Sequence, residues 1–179
     1  SNIKTTRISA TEGEWSFDVI KITEGDKTTV SATITYYSGK TENVVVVPSI
    51  LGGAEVTKLA AQAFGHHGEI TAVYVPSTVE DIADWAFYDL NEALIISFSN
   101  PDVKIDDAAF QSSGNAALYL PAGTKQTQAG GKSVVTTDTQ EIEVKITNPQ
   151  KAAVAGGNYL NVTKPAGYQL SEEKISSIA

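Results

Sequence analysis

His66 and His67 are the only imidazoles in the chain, and they set a ceiling on the chemistry the sequence can offer. A nucleophilic triad needs one histidine within reach of both a serine and a carboxylate. A zinc site on a helix needs two histidines four residues apart. Sequence neighbours flanked by Gly65 and Gly68 fit neither pattern, and they read as solvent-exposed residues of a polar turn, with adventitious metal binding as the alternative. Cysteine is absent, which removes disulfides, thiolate metal sites and thiol nucleophiles. The acidic pairs Glu80-Asp81, Asp106-Asp107 and Glu172-Glu173 are chain neighbours rather than groups facing a shared cleft, so nothing favours a two-carboxylate glycosidase. Gly52-Gly53 and Gly130-Gly131 lack the Lys-Ser/Thr of a phosphate loop and read as turns. The expectation is a protein that is not an enzyme and uses no cofactor and no metal.

Charge narrows the partners. The net charge is −8, and residues 51–129 hold nearly all of it, with 3 basic groups against 10 acidic ones. Nucleic acid is a poor partner for such a surface, because binding there rests on Lys and Arg neutralising phosphates. No run approaches the roughly 18 apolar residues of a membrane span, so no membrane insertion is expected. Ser1-Asn2 reads as a processing or cloning scar, which leaves room for the removed signal peptide of a secreted or cell-surface protein.

The elements that carry these residues announce themselves as a repeat. Ala63-Phe64 recurs as Ala86-Phe87 and Ala109-Phe110, each time 23 residues on. Five residues before each Phe stands a large aliphatic, in turn Leu59, Ile82 and Ile105. Apolar runs follow at Ala72–Pro76, Leu94–Phe98 and Ala117–Pro121, and an opening run spans Val44 to Val47. One such unit cannot bury its own apolar face, but stacked neighbours bury a continuous one. The spacing predicts short parallel strands and an interior spine of phenylalanines. Asp84 and Asp107, three residues before the second and third Phe, can cap exposed amides of a brief helical turn. The same two carboxylates could instead hold Ca²⁺, although no Asp-x-Asp-x-Asp-Gly loop accompanies them.

These residues resemble a known family. Asn43 through Ser49, Gly52-Gly53, Val56-Thr57, Ala63-Phe64, Val75-Pro76-Ser77 and Ile82 through Phe87 are similar to the BspA-type (Treponema-type) bacterial leucine-rich repeats. Leu118 through Lys125 resembles the last repeat of that group, and Ala32 through Gly39 its lead-in hairpin. The third repeat departs from the pattern, with Asp102 where Val56 and Val79 stand earlier. The likeness implies a β-dominated, right-handed leucine-rich-repeat solenoid of about three 23-residue repeats over residues 44–129. An N-terminal β-hairpin cap over 1–43 and a small β-rich C-terminal extension over 130–179 complete it. It also implies adhesion to a host matrix or cell-surface protein.

Outside the repeats, Trp15 to Tyr37 alternates like two antiparallel strands joined by Gly25-Asp26. Phe17, Val19 and Ile22 are expected on one strand, with Val30, Ala32, Ile34 and Tyr36 on the next. Glu141 to Ile146 and Tyr159 to Val162 read as strands, and Ser171 as the cap of a short helix.

A binding surface follows from the alternation of strand faces. With Val73, Val75, Ile96, Phe98, Leu118 and Leu120 inward, the row Val46, Tyr74, Ser97 and Tyr119 is expected to face out. Tyrosines on a rigid sheet make good contact residues. Trp85 stands where neighbouring repeats have Gln62 and Ala108, so it too is expected outside, as a contact hot spot or packed against the extension. The function expected is non-catalytic binding of a protein partner through Tyr74, Ser97, Tyr119 and Trp85. A glycan-binding module, or a structural spacer of a larger surface protein, is the alternative.

Overall fold

The computed structural model describes residues 2–90, 94–137, 139–145 and 159–165. Among these residues there is no helix. Three long strands open the chain: β1 (Ile3–Glu12), β2 (Trp15–Glu24) and β3 (Lys27–Tyr37). They form an antiparallel meander joined by two-residue turns, with Gly13 and Gly25 at φ 58° and 60°. The expected hairpin is therefore the inner part of a three-stranded sheet. A bulge beside Ser16/Phe17 sets Ser16 opposite Tyr36 and Phe17 opposite Ile34. It reverses the alternation at that end: Tyr37 is buried and Tyr36 is exposed. Phe17, Val19 and Ile22 share β2 as expected, and Ile22, on the other face by period, is exposed.

The solenoid follows. Its strands are β4 (Val44–Val46), β5 (Ile50–Leu51), β6 (Ala54–Leu59), β7 (Ala72–Val75) and β8 (Asp81–Ile82). They continue with β9 (Leu94–Phe98), β10 (Lys104–Ile105), β11 (Ala116–Pro121), β12 (Gln128–Ala129) and β13 (Lys132–Thr137). One sheet runs β1-β2-β3-β6-β8-β10 and the other β12-β13-β11-β9-β7-β4. Leu59 pairs with Ile82 and Ile82 with Ile105, each one 23-residue period apart, and Val73 pairs with Ile96 in the same way. The chain thus winds as a β-solenoid of about four turns. The parallel ladder does not stop at residue 129: Leu118 through Pro121 pair with Val134 through Thr137, so the repeat body includes β13. The last two described strands, β14 (Thr139–Lys145) and β15 (Tyr159–Pro165), pair with each other antiparallel. The helix expected to start at Ser171 lies outside the described residues.

The core is one column of side chains. Phe64 and Phe87 stack with centroids 5.3 Å apart and planes 6° off parallel, and Phe87 and Phe110 repeat this at 5.3 Å and 9°. Leu59 and Ile82 are fully buried beside them, and Ile105 is partly buried against the same core. Both ends of the spine are closed. Tyr37 and Trp15 meet Phe64 at 5.6 and 5.9 Å. At the far end the backbone of Gly130, at φ 59°, presses so close to the Phe110 ring that a Cβ there would lie 2.7 Å from it. Lys132 then places its ammonium 5.7 Å from the centre of that ring, a cation–π contact.

Candidate functional site

The strand row expected to face outward is not a surface along its length. Val46 and Ser97 lie on the face opposite Val73, Val75 and Ile96, as the alternation requires, yet both are buried, and Tyr74 beside them is only 1% exposed. The strands that carry Tyr74 and Ser97 have a long-range neighbour: β15 lies against β7 and β9. Tyr74 and Ser97 are therefore interior residues, a correction to the expected contact row. Tyr119, one strand further on, is half-buried, and its neighbour Val135 on β13 is exposed.

The turn side of the solenoid holds the exposed chemistry. Here each coil ends in a tight turn whose amides bond the carbonyls of the next coil. Gln62 N–H donates to Trp85 O at 2.9 Å, Trp85 N–H to Ala108 O at 3.0 Å, and His66 N–H to Tyr88 O at 3.0 Å. Turning this sharply takes left-handed backbone at two positions in each of the first two coils and at one in the third. Gln62 and Trp85 share the first, at φ 61° and 59°; His66, Asp89 and Ser112 share the second, at φ 62°, 57° and 60°. None is glycine, and a Cβ in that region costs roughly 1–2 kcal/mol. A tryptophan there is rarer still. Its side chain is directed off the turn, 39% exposed, and lies flat on the Tyr88 ring at 4.5 Å and 8°.

Tyr88 extends the patch to the coil before. His66 meets its ring edge-on at 5.2 Å. The Nδ1 of His66 lies 2.7 Å from Asp89 Oδ2, and since a carboxylate only accepts, Nδ1–H donates. The result is a continuous strip, exposed at Trp85 and His66 and half-buried at Tyr88 and Asp89, in which apolar ring faces adjoin a hydrogen-bonded polar pair. Neither Tyr88 nor His66 was expected as a site residue, though one signal was available. His66 and Asp89 stand 23 residues apart, so the period itself stacks imidazole on carboxylate.

His67 departs from the exposed turn predicted for it. It is 4% exposed, with Nε2 2.6 Å from the Tyr37 carbonyl and Nδ1 2.7 Å from Glu69 Oε1. Leu90 and Ser113 occupy the same place in later coils and are buried too, which makes this an inward column. Ser113 Oγ serves its coil as His67 serves the first, donating to Phe87 O at 2.6 Å.

The excess acid lies on the rim of the short strands. Glu80, Asp81, Asn100, Asp102 and Lys104 line one shallow depression, and Asp84 and Asp106 line its neighbour. The capping role expected of Asp84 and Asp107 falls instead to Asp106, whose Oδ1 accepts from Ala108 N–H at 2.9 Å. Among the described residues no three His, Asp or Glu side chains gather closely enough to hold a metal ion. Comparison with protein-family models, with curated proteins and with solved structures finds no match for the chain.

Proposed function

We propose that this chain is a non-catalytic binding module, a leucine-rich-repeat unit of the BspA type from a secreted or cell-surface bacterial protein, and that its partner is a host matrix or cell-surface protein. The contact surface is the turn side of the solenoid, centred on Trp85, with Tyr119 outside the main patch. One observation carries the reading: an exposed tryptophan held in strained left-handed backbone and braced flat on Tyr88. Strain of this kind gathers where a ligand is met, and a Trp whose rotamer is already fixed loses little entropy on binding. The 23-residue period and the phenylalanine spine support the repeat class.

A glycan is the second reading, favoured by the way the Trp85–Tyr88 rings adjoin the His66–Asp89 pair. Sugars present apolar faces ringed by hydroxyls, and both features of the strip suit them. The purified chain should be screened against immobilised matrix proteins and a glycan array, beside Trp85→Ala and Tyr88→Ala. Saturable binding to a protein, weakened at least tenfold in both variants, supports the proposal. Binding confined to glycans moves the module to the carbohydrate class. Binding that survives both substitutions removes the strip from the account.

A further inference from the structure

We infer that β1 is a dimerisation strand, and that its partner is the β1 of a second copy of this chain, paired antiparallel about a two-fold axis through Ile8. Among the described residues the strand has one neighbour, β2, and its other edge is open. It runs ten residues without proline or bulge, and every residue but Glu12 is exposed. Ile3 and Ile8 are 61% and 67% exposed, the two barest large apolar side chains of the described residues. A long, open edge of this kind is a template for another strand.

The edge is self-complementary. Residues flanking a two-residue hairpin turn form a hydrogen-bonded pair, and here those are Glu12 and Trp15. The even-numbered residues of β1 therefore bond β2, while Thr5, Arg7, Ser9 and Thr11 turn their amides and carbonyls to the open edge. A two-fold axis at Ile8 sets Arg7 against Ser9 of the second copy and Thr5 against Thr11, so outward groups meet outward groups. The same register places Lys4 opposite Glu12 twice and Ile8 opposite Ile8. Sliding by one pair toward the N-terminus sets Arg7 on Arg7, and sliding the other way sets Glu12 on Thr6. This register thus sets no like charges opposite each other. Isologous pairing of one patch with itself is also the commonest form of protein assembly.

The chain has no cysteine, so single cysteines report the register directly. Residue 8 would sit in a non-hydrogen-bonded pair, where Cα atoms approach to about 4.5 Å, within disulfide range. Sedimentation velocity should show a concentration-dependent dimer, and mild oxidation should cross-link Ile8→Cys but not Ile3→Cys. Ile8→Lys, at an exposed site where folding is checked by an unchanged melting temperature, should weaken the dimer at least tenfold. A chain that stays monomeric up to high micromolar concentration overturns the inference. So does a dimer that persists undiminished in Ile8→Lys, or one in which Ile3→Cys cross-links and Ile8→Cys does not.

Discussion

The imidazole of His67 bonds the backbone carbonyl of Tyr37 across 2.6 Å, tying the first solenoid coil to the end of the N-terminal sheet. Its other nitrogen faces the Glu69 carboxylate, so both ring nitrogens meet acceptors. Leu90 fills the same place one coil later, which makes His67→Leu a fair test of the polar contacts alone. That variant should lose about 1–3 kcal/mol in denaturant unfolding, the cost of leaving buried acceptors unpaired. An unchanged midpoint would show that packing, not hydrogen bonding, joins the two parts.

Tyr37 should make the fold sensitive to alkali. Burial, and then the nearby carboxylates of Glu14, Glu42 and Glu69, push its phenol above the usual tyrosine range. A group raised in the folded state stabilises fully below its ordinary value of about 10, and that stability is lost as pH climbs beyond it. Absorbance titration should show the Tyr37 phenol ionising only as the protein unfolds. In Tyr37→Phe the alkaline loss of stability should be shallower.

Asp18 works in the opposite sense. Hydrogen bonds from Ser9, at 2.7 Å, and Arg7, at 2.9 Å, hold its carboxyl below the usual range. The stability so gained is present above the ordinary value near 4 and disappears as pH falls through the lowered one. Arg7 is 57% exposed, so screening trims the ion-pair share, and Asp18→Asn should cost about 1 kcal/mol at pH 7. The gap from the unsubstituted chain should close in acid. Because both donors lie on β1, the same variant should loosen that strand, visible as faster amide exchange over residues 3–12.

Gly130 closes the phenylalanine spine. A methyl group there would lie 2.7 Å from the Phe110 ring and 2.8 Å from the Ile105 side chain, on backbone at φ 59°. Gly130→Ala should therefore cost about 2–4 kcal/mol, from left-handed strain and overpacking together. A thermal melt within a degree of the parent would contradict this account of the end cap.

Gln62 offers the converse. It is exposed and left-handed at φ 61°, so Gln62→Gly should relieve strain and raise stability by about 0.5–1 kcal/mol. Trp85→Gly relieves the same strain but forfeits the Tyr88 stack, and its gain should be smaller.

The spine and the strand ladder were legible because Phe64, Phe87 and Phe110 recur at one fixed interval, and a constant interval in sequence becomes adjacency in a solenoid. The faces of Tyr74 and Ser97 were read correctly but their exposure was not. Their strands have β15 as a neighbour, some sixty residues further along from Ser97, and no local period encodes that docking. His67 was misread because its glycine-flanked, polar surroundings look like a loop, although its column mates Leu90 and Ser113 point inward. The outer strand β1 went unseen, since Thr-rich alternation with no buried face leaves little hydrophobic signal. Its pairing is held largely by backbone bonds that any sequence can make.

The column Gln62, Trp85 and Ala108 is joined from coil to coil by main-chain atoms alone. Gln62 and Trp85 share left-handed backbone there and Ala108 continues the ladder without it, so the side chain is free of that duty. A glutamine, a tryptophan and an alanine already occupy equivalent places on the same scaffold. The position is therefore an interchangeable socket. New recognition could be fitted by exchanging one residue per coil, while the frame that presents it goes unaltered.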